Sequence, residues 1–153
     1  MKLNYTRIER NGKKPPEPFY ATEGAAGLDL TVFGTDVTIN PNAHALVATG
    51  IKAAIPSGFV GLIFVRLSLG VKRGLMLSNC VGVIDSDYRG ELLVSLYNSS
   101  PEPQTLREGE RIAQLVIVPC PRFELCETDE LGQTERSEGR FGSTGSGVPN
   151  TPQ

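Results

Sequence analysis

The stretch Gly90-Glu91-Leu92-Leu93-Val94-Ser95-Leu96-Tyr97-Asn98-Ser99-Ser100-Pro101 decides the fold class. Leu92, Val94 and Leu96 recur at every second position between two turn-formers, Gly90 and Pro101. That period is the mark of a half-buried strand, because successive strand side chains point to opposite faces. The same alternation runs through Leu28, Leu30 and Val32, through Val60, Leu62 and Phe64, and through Ala113, Leu115 and Ile117. Further turn residues interrupt these runs at short intervals, among them Pro41, Gly50, Pro56, Gly58, Gly74, Gly82, Gly109 and Pro119. No segment carries a sustained apolar stripe of helical period, and one short helix is expected around Arg66 to Lys72. The chain therefore reads as all-β, a jelly-roll-like barrel or sandwich with one short helix, and an α/β nucleotide fold is disfavoured.

A length of 153 residues suits one domain with a real core. From Gly132 onward the chain turns to Gly, Ser, Thr, Pro and charge, with Phe141 and Val148 almost alone as apolar residues. The division expected is a β domain over 1–131 and a flexible carboxy-terminal arm over 132–153. Hydrophobic residues at 39% and charged residues at 21% are ordinary for a soluble globular protein. No apolar run is long enough to cross a bilayer, and Met1 to Arg10 alternates polar with apolar residues, so a cytoplasmic or otherwise intracellular protein with no membrane partner is expected.

The three cysteines, Cys80, Cys120 and Cys126, lack metal-finger spacing, and their odd number argues against a disulfide framework. They read as reduced core or surface thiols. A formal charge of −2 provides no general field for a polyanion, so nucleic acid is not an expected partner. An anionic ligand must instead be held by locally placed arginines. Neither a Walker-type phosphate loop nor a Gly-x-Gly-x-x-Gly run is present. The run Asp85-Ser86-Asp87-Tyr88-Arg89-Gly90 fails as a calcium loop, since Arg89 replaces an oxygen ligand and Leu96 stands where a bidentate Glu belongs. His44 has no Cys or His at ligand spacing and reads as an ordinary surface or loop histidine.

Five segments carry the specific signal: Ala26-Gly27-Leu28-Asp29-Leu30; Arg66-Leu67-Ser68-Leu69-Gly70; Gly82-Val83-Ile84-Asp85-Ser86-Asp87-Tyr88-Arg89-Gly90-Glu91-Leu92; Gly109-Glu110-Arg111-Ile112-Ala113-Gln114-Leu115; and Arg136-Ser137-Glu138-Gly139-Arg140-Phe141-Gly142-Ser143-Thr144-Gly145. In order and spacing they resemble the five motifs of the trimeric dUTPases, and the third is the strongest local match. The resemblance implies hydrolysis of dUTP to dUMP and pyrophosphate by water attack on the α-phosphorus. It also implies a homotrimer with sites built between subunits, and Mg²⁺ held through phosphates and waters.

The resemblance implies a role for each matching residue. Asp85 would orient and deprotonate the water; its plainer role is to start a turn beside Ser86. Arg66, Gln114 and Arg136 would be the side-chain donors around the triphosphate, with Ser68 and backbone N–H groups at the start of the short helix. A hairpin from Asn79 to Leu93 would present backbone groups to the uracil edge, with Val83, Ile84 and Leu93 lining the pocket. Tyr88 would lie beneath the deoxyribose and leave no room for a 2′-hydroxyl, or else simply pack into the core. Asp29 acts one step removed from the metal and phosphates or merely holds the fold. In the arm, Phe141 would stack on the base while Gly142 and Ser143 approach phosphate oxygens.

Two positions depart from the family pattern. Leu67 stands where Ser usually follows the motif-two Arg, which removes a hydroxyl expected near the oxygen bridging the α- and β-phosphates. Ser137 and Arg140 stand where Gly is common. Leu67 motivates an alternative reading, a catalytically weak relative that serves as a nucleotide-gated protein-binding module. A dCTP deaminase relative is a further alternative, disfavoured by the short chain and by the missing catalytic acid constellation.

Overall fold

The computed structural model describes residues 1–134 and 136–140. The chain divides into two compact units, Met1–Arg122 and Phe123–Gln153. Among the described residues the strands lie in the first, in chain order β1 (Asn4–Arg7), β2 (Phe19–Tyr20), β3 (Leu28–Thr31), β4 (Val37–Ile39), β5 (His44–Ala48), β6 (Ile51–Ala54) and β7 (Phe59–Val65). The one helix among the described residues, α1 (Leu67–Arg73), follows, and then β8 (Leu75–Leu77), β9 (Gly82–Ile84), β10 (Leu93–Asn98), β11 (Gln104–Leu106) and β12 (Arg111–Pro119).

The strands form open sheets and no closed barrel, so of the two expected architectures the sandwich is the one adopted. A five-stranded sheet has the order β2-β3-β12-β7-β9, and a three-stranded sheet the order β5-β10-β8. Two ribbons, β1-β6 and β11-β4, complete the fold, and every pairing is antiparallel. Leu92, Val94 and Leu96 are wholly buried, as their alternation predicts, and they join Val47, Leu75, Leu77, Ile63 and Leu115 in one core.

Alternation misleads in two strands. In β7 the core-facing residues are Gly61 and Ile63, whereas Val60 and Leu62 are only partly covered and Phe64 is exposed. All seven residues of β7 except its glycine are apolar, so period alone cannot say which face turns inward. In β3 the expected half-burial becomes full burial of every residue, Asp29 and Thr31 included, because β2 and β12 flank it on either side.

The helix begins one residue later than expected, with Arg66 extended at its N-cap (ψ 133°). It stops at Gly74, whose φ of 63° lies in the left-handed region that glycine adopts without penalty and whose N–H caps Gly70 and Leu69 carbonyls. Arg73 in its last turn donates to Gln104 at 2.9 Å, to the Thr105 carbonyl at 2.7 Å and to Glu110 at 2.7 Å, locking the helix against the segment that carries motif four. Among the described residues, no helix is long and apolar enough to cross a membrane. The three thiols are unpaired and exposed.

In the second unit, Phe123, Leu125 and Leu131 are exposed. Ser137 adopts a φ of 41°, a left-handed backbone that favours glycine, and Arg136 accepts the Gly139 N–H at 2.8 Å to close that turn. Phe141, Gly142 and Ser143, expected to act in the arm, lie outside the described residues.

Candidate active site

Two groups of the expected residues assemble, each for identifiable reasons. The first is built on motif three. The segment from Asn79 to Leu93 is not the paired hairpin that the resemblance implies: β9 pairs with β7, and β10 pairs with β5 and β8. The eight residues from Asp85 to Leu92 therefore form an arch that crosses from one sheet to the other. Close approach of glycines directs β9 to β7. A side chain at Gly82 would meet Ile63 Cβ at 3.0 Å, and one at Gly61 would meet Ile84 Cβ at 3.2 Å. As the outermost strand of its sheet, β9 has one backbone edge with no strand partner among the described residues, and that edge is a template for hydrogen bonding.

Backbone carbonyls close the arch. The Tyr88 N–H donates to the Asp85 carbonyl at 3.2 Å, and the Arg89 guanidinium donates to the Ser86 and Tyr88 carbonyls, each at 2.8 Å. The Asp85 side chain is left exposed at the edge of a cleft of about 160 Å³, lined also by Val83, Ile84, Tyr88, Glu91 and Leu93. Tyr88 is 41% exposed and donates its O–H to the Glu91 carbonyl at 2.9 Å, so it is not a core residue. Its ring folds back over Gly90, where any Cβ would collide with it.

A second cleft of about 150 Å³ adjoins the first through Val83, Ile84 and Leu93, and adds Asn79, Gly82 and Ser95. At its rim Cys80 takes a φ of 63° in a three-residue turn that the Val81 N–H closes onto the Asn79 carbonyl at 2.7 Å. This left-handed backbone is uncommon for a residue other than glycine.

The second group surrounds Asp29, which is 2% exposed. Arg111 donates to its Oδ2 at 3.0 Å and Gln114 to its Oδ1 at 3.3 Å, while Arg66 Nε stands 3.9 Å from Oδ1. Asp29 and Gln114 are direct cross-strand partners on β3 and β12. Gly27 of motif one makes the approach possible, since a Cβ there would stand 3.0 Å from Gln114 Cβ. Arg66 is fixed at its backbone as well, donating its N–H to the Ile112 carbonyl at 3.1 Å. Asp29 thus holds two guanidinium groups and an amide in one array, which is partly exposed and suited to phosphate oxygens.

Within one chain these groups stay apart: Arg66, Leu67, Ser68 and Gln114 line neither cleft beside Asp85. Leu67 is 80% exposed within its own chain. Among the described residues, no three or more His, Cys, Asp or Glu side chains gather as a metal site. Sequence reading gave no role to Arg111 or Glu91, although both stand inside quoted motifs. It overlooked Arg10, which bonds to Glu91 across 81 positions and carries no local signal.

A family model described as dUTPase matches residues 14–145. The deoxyuridine 5′-triphosphate nucleotidohydrolase of Alcanivorax borkumensis is 45% identical over 148 residues, covering 95% of this chain and 99% of that protein. Among solved structures, a variant of the Staphylococcus bacteriophage 80alpha dUTPase with dUpNHpp superposes with a TM-score of 0.81 at 28% identity, covering 95% of this chain and 99% of that one. A variant of the dUTPase from phage phi11 of S. aureus, whose structure reveals the coordination of a structural Mg(II) ion, has a TM-score of 0.75 at 25% identity and covers 85% and 98%. With the family model spanning motifs one to five and the identity running over nearly the whole length, the chain belongs to the dUTPase family.

Proposed function

We propose that the chain hydrolyses dUTP to dUMP and pyrophosphate in a homotrimer whose sites are shared between subunits. The observation that carries this is the arch, where the exposed Asp85 carboxylate stands in one cleft with Tyr88, beside the free backbone edge of β9. The β9 edge and Asn79 receive the uracil edge, with Val83, Ile84 and Leu93 as apolar walls and Tyr88 beneath the sugar. On this reading the walls of the pocket exclude a 5-methyl group on the base. Asp85 accepts a proton from a water as it attacks the α-phosphorus; the bond to the α–β bridging oxygen breaks, and pyrophosphate departs.

Arg66, Gln114 and Ser68 bind and orient the triphosphate, and Arg136 with Phe141, Gly142 and Ser143 closes over it from an arm spanning 132–153. Arg111 joins the array by sharing Asp29. The phosphate array and the Asp85 cleft are separate within a chain, which supports assembly of each site from more than one subunit.

Mg²⁺ fits this donor set as a phosphate-borne ion. The buried carboxylate nearest the array, Asp29, is already engaged by Arg111 and Gln114, so the ion is held through phosphates and waters. When bound, it neutralises phosphate charge and orients the phosphate oxygens. The substrate is an intracellular nucleotide, in keeping with an intracellular enzyme. Pyrophosphate release across dUTP, dTTP, dCTP and UTP, with ammonia measured in parallel, tests the reading. Release confined to dUTP supports it, and ammonia from dCTP would replace it with deamination.

A further inference from the structure

The chemistry above makes no use of the tie between the amino-terminal segment and the arch. Glu91 has a side chain only 14% exposed, and its two carboxylate oxygens go to different partners. Oε1 accepts the Gly50 N–H at 2.7 Å, and Oε2 accepts Arg10 at 2.5 Å. The carbonyl of the same residue accepts the Tyr88 hydroxyl at 2.9 Å. Just beyond, the Thr49 hydroxyl donates to the Leu92 carbonyl at 2.6 Å, so the arch's far end is anchored at the β5–β6 corner.

Both anchors are themselves rigid. Gly50 has a φ of 70°, and Phe33 and Pro15 crowd it so closely that a side chain has no room. The Arg10 guanidinium lies 5.3 Å above the Phe33 ring, and the Arg10 and Lys13 backbones exchange two hydrogen bonds of 2.9 and 3.0 Å. Two features set the tilt of the Tyr88 ring: the contact with Gly90 below and the hydroxyl bond to the Glu91 carbonyl. A 2′-hydroxyl differs from hydrogen by one oxygen atom, so rejecting ribose by exclusion requires that tilt to be held within a fraction of an atomic diameter.

We propose that Arg10, acting through Glu91, is the positioning residue that holds the Tyr88 ring in place and thereby sets selection of deoxyribose over ribose. The inference rests on the proposed placement of the sugar over Tyr88. It assigns a part in specificity to the amino-terminal segment, far from every motif.

The test uses Arg10→Met, which keeps an apolar stem over Phe33 and removes the guanidinium. Affinities for dUpNHpp and its ribose counterpart, and kcat/KM for dUTP and UTP, are measured on the same full-length preparations. The deoxy-to-ribo ratio is independent of the active fraction and should fall about tenfold in Arg10→Met. Arg10→Lys should keep most of it. Tyr88→Phe, which removes the tether but keeps the ring, should lower the ratio equally, and the double variant should fall no further. A lower melting temperature with the ratio unchanged would mean that Arg10 only stabilises the fold, and additive losses in the double variant would equally overturn the link. The binding ratio separates this inference from the activity: selective binding of dUpNHpp without turnover of dUTP sinks the proposed reaction, yet still reads out Arg10.

Discussion

Asp29 and Gln114 face each other across β3 and β12, and the Gln114 amide donates to the Asp29 carboxylate at 3.3 Å inside the sheet. This carboxylate is buried because it is spent on orientation. Its oxygens also receive Arg111 and face Arg66, so one residue of motif one holds the donors of motifs two and four in register.

Asp29→Asn should therefore do two things. Losing a charged acceptor shared by several donors lowers stability by about 1.5–3 kcal/mol, the scale of hydrogen bonds to charged groups. Freeing Arg66 and Gln114 to reorient raises KM for dUTP more than it lowers the melting temperature would suggest. Calorimetric melting and steady-state kinetics check both, and an unchanged KM would reduce Asp29 to a residue of the fold.

Leu67→Ser should raise kcat while leaving KM within about twofold, because a hydroxyl near the bridging oxygen acts on charge that develops in the transition state. Leu67 is exposed within its own chain, so the substitution removes little packing there. A kcat that stays level or drops would show that the departing pyrophosphate is stabilised by other groups.

Gly90→Ala should displace the Tyr88 ring, since the added Cβ occupies the space of its hydroxyl and ring edge. Forcing a side chain aside costs about 1–3 kcal/mol. The variant is expected to melt lower and to bind dUTP more weakly; a crystal structure with the ring unmoved would contradict the account of the arch.

Sharing of sites between subunits can be read by complementation. Asp85→Asn with its arm intact and a chain cut before Arg136 should each be inactive alone. Refolded together in equal amounts, they should recover about a quarter of wild-type sites under random assembly of cyclic trimers. Mixed trimers verified by mass but devoid of activity would put both parts on one chain.

The all-β class was legible because the β10 alternation and the dense turn residues report the backbone period directly, whereas the choice of open sandwich over barrel was not. The phase of β7 was not, since its residues are apolar on both faces and neighbours alone decide which side is covered. The hairpin at the arch was implied by the resemblance alone, and only the close approach of Gly82 and Gly61 to Ile63 and Ile84 sends β9 to β7. The motifs nominate Asp85, Arg66 and Gln114 as site residues, but they do not reveal the tie from Arg10 to Glu91, because a contact between residues 81 positions apart leaves no local pattern.

The most direct measurement of the central claim compares wild type with Asp85→Asn for dUTP turnover and for dUpNHpp affinity. The amide keeps the shape of the carboxylate but does not take up the water's proton. Turnover should fall roughly 10²–10⁴-fold, the usual scale for losing a general base, while affinity stays near wild type. Turnover close to wild type would contradict the role of Asp85 and, with it, the mechanism built on the arch.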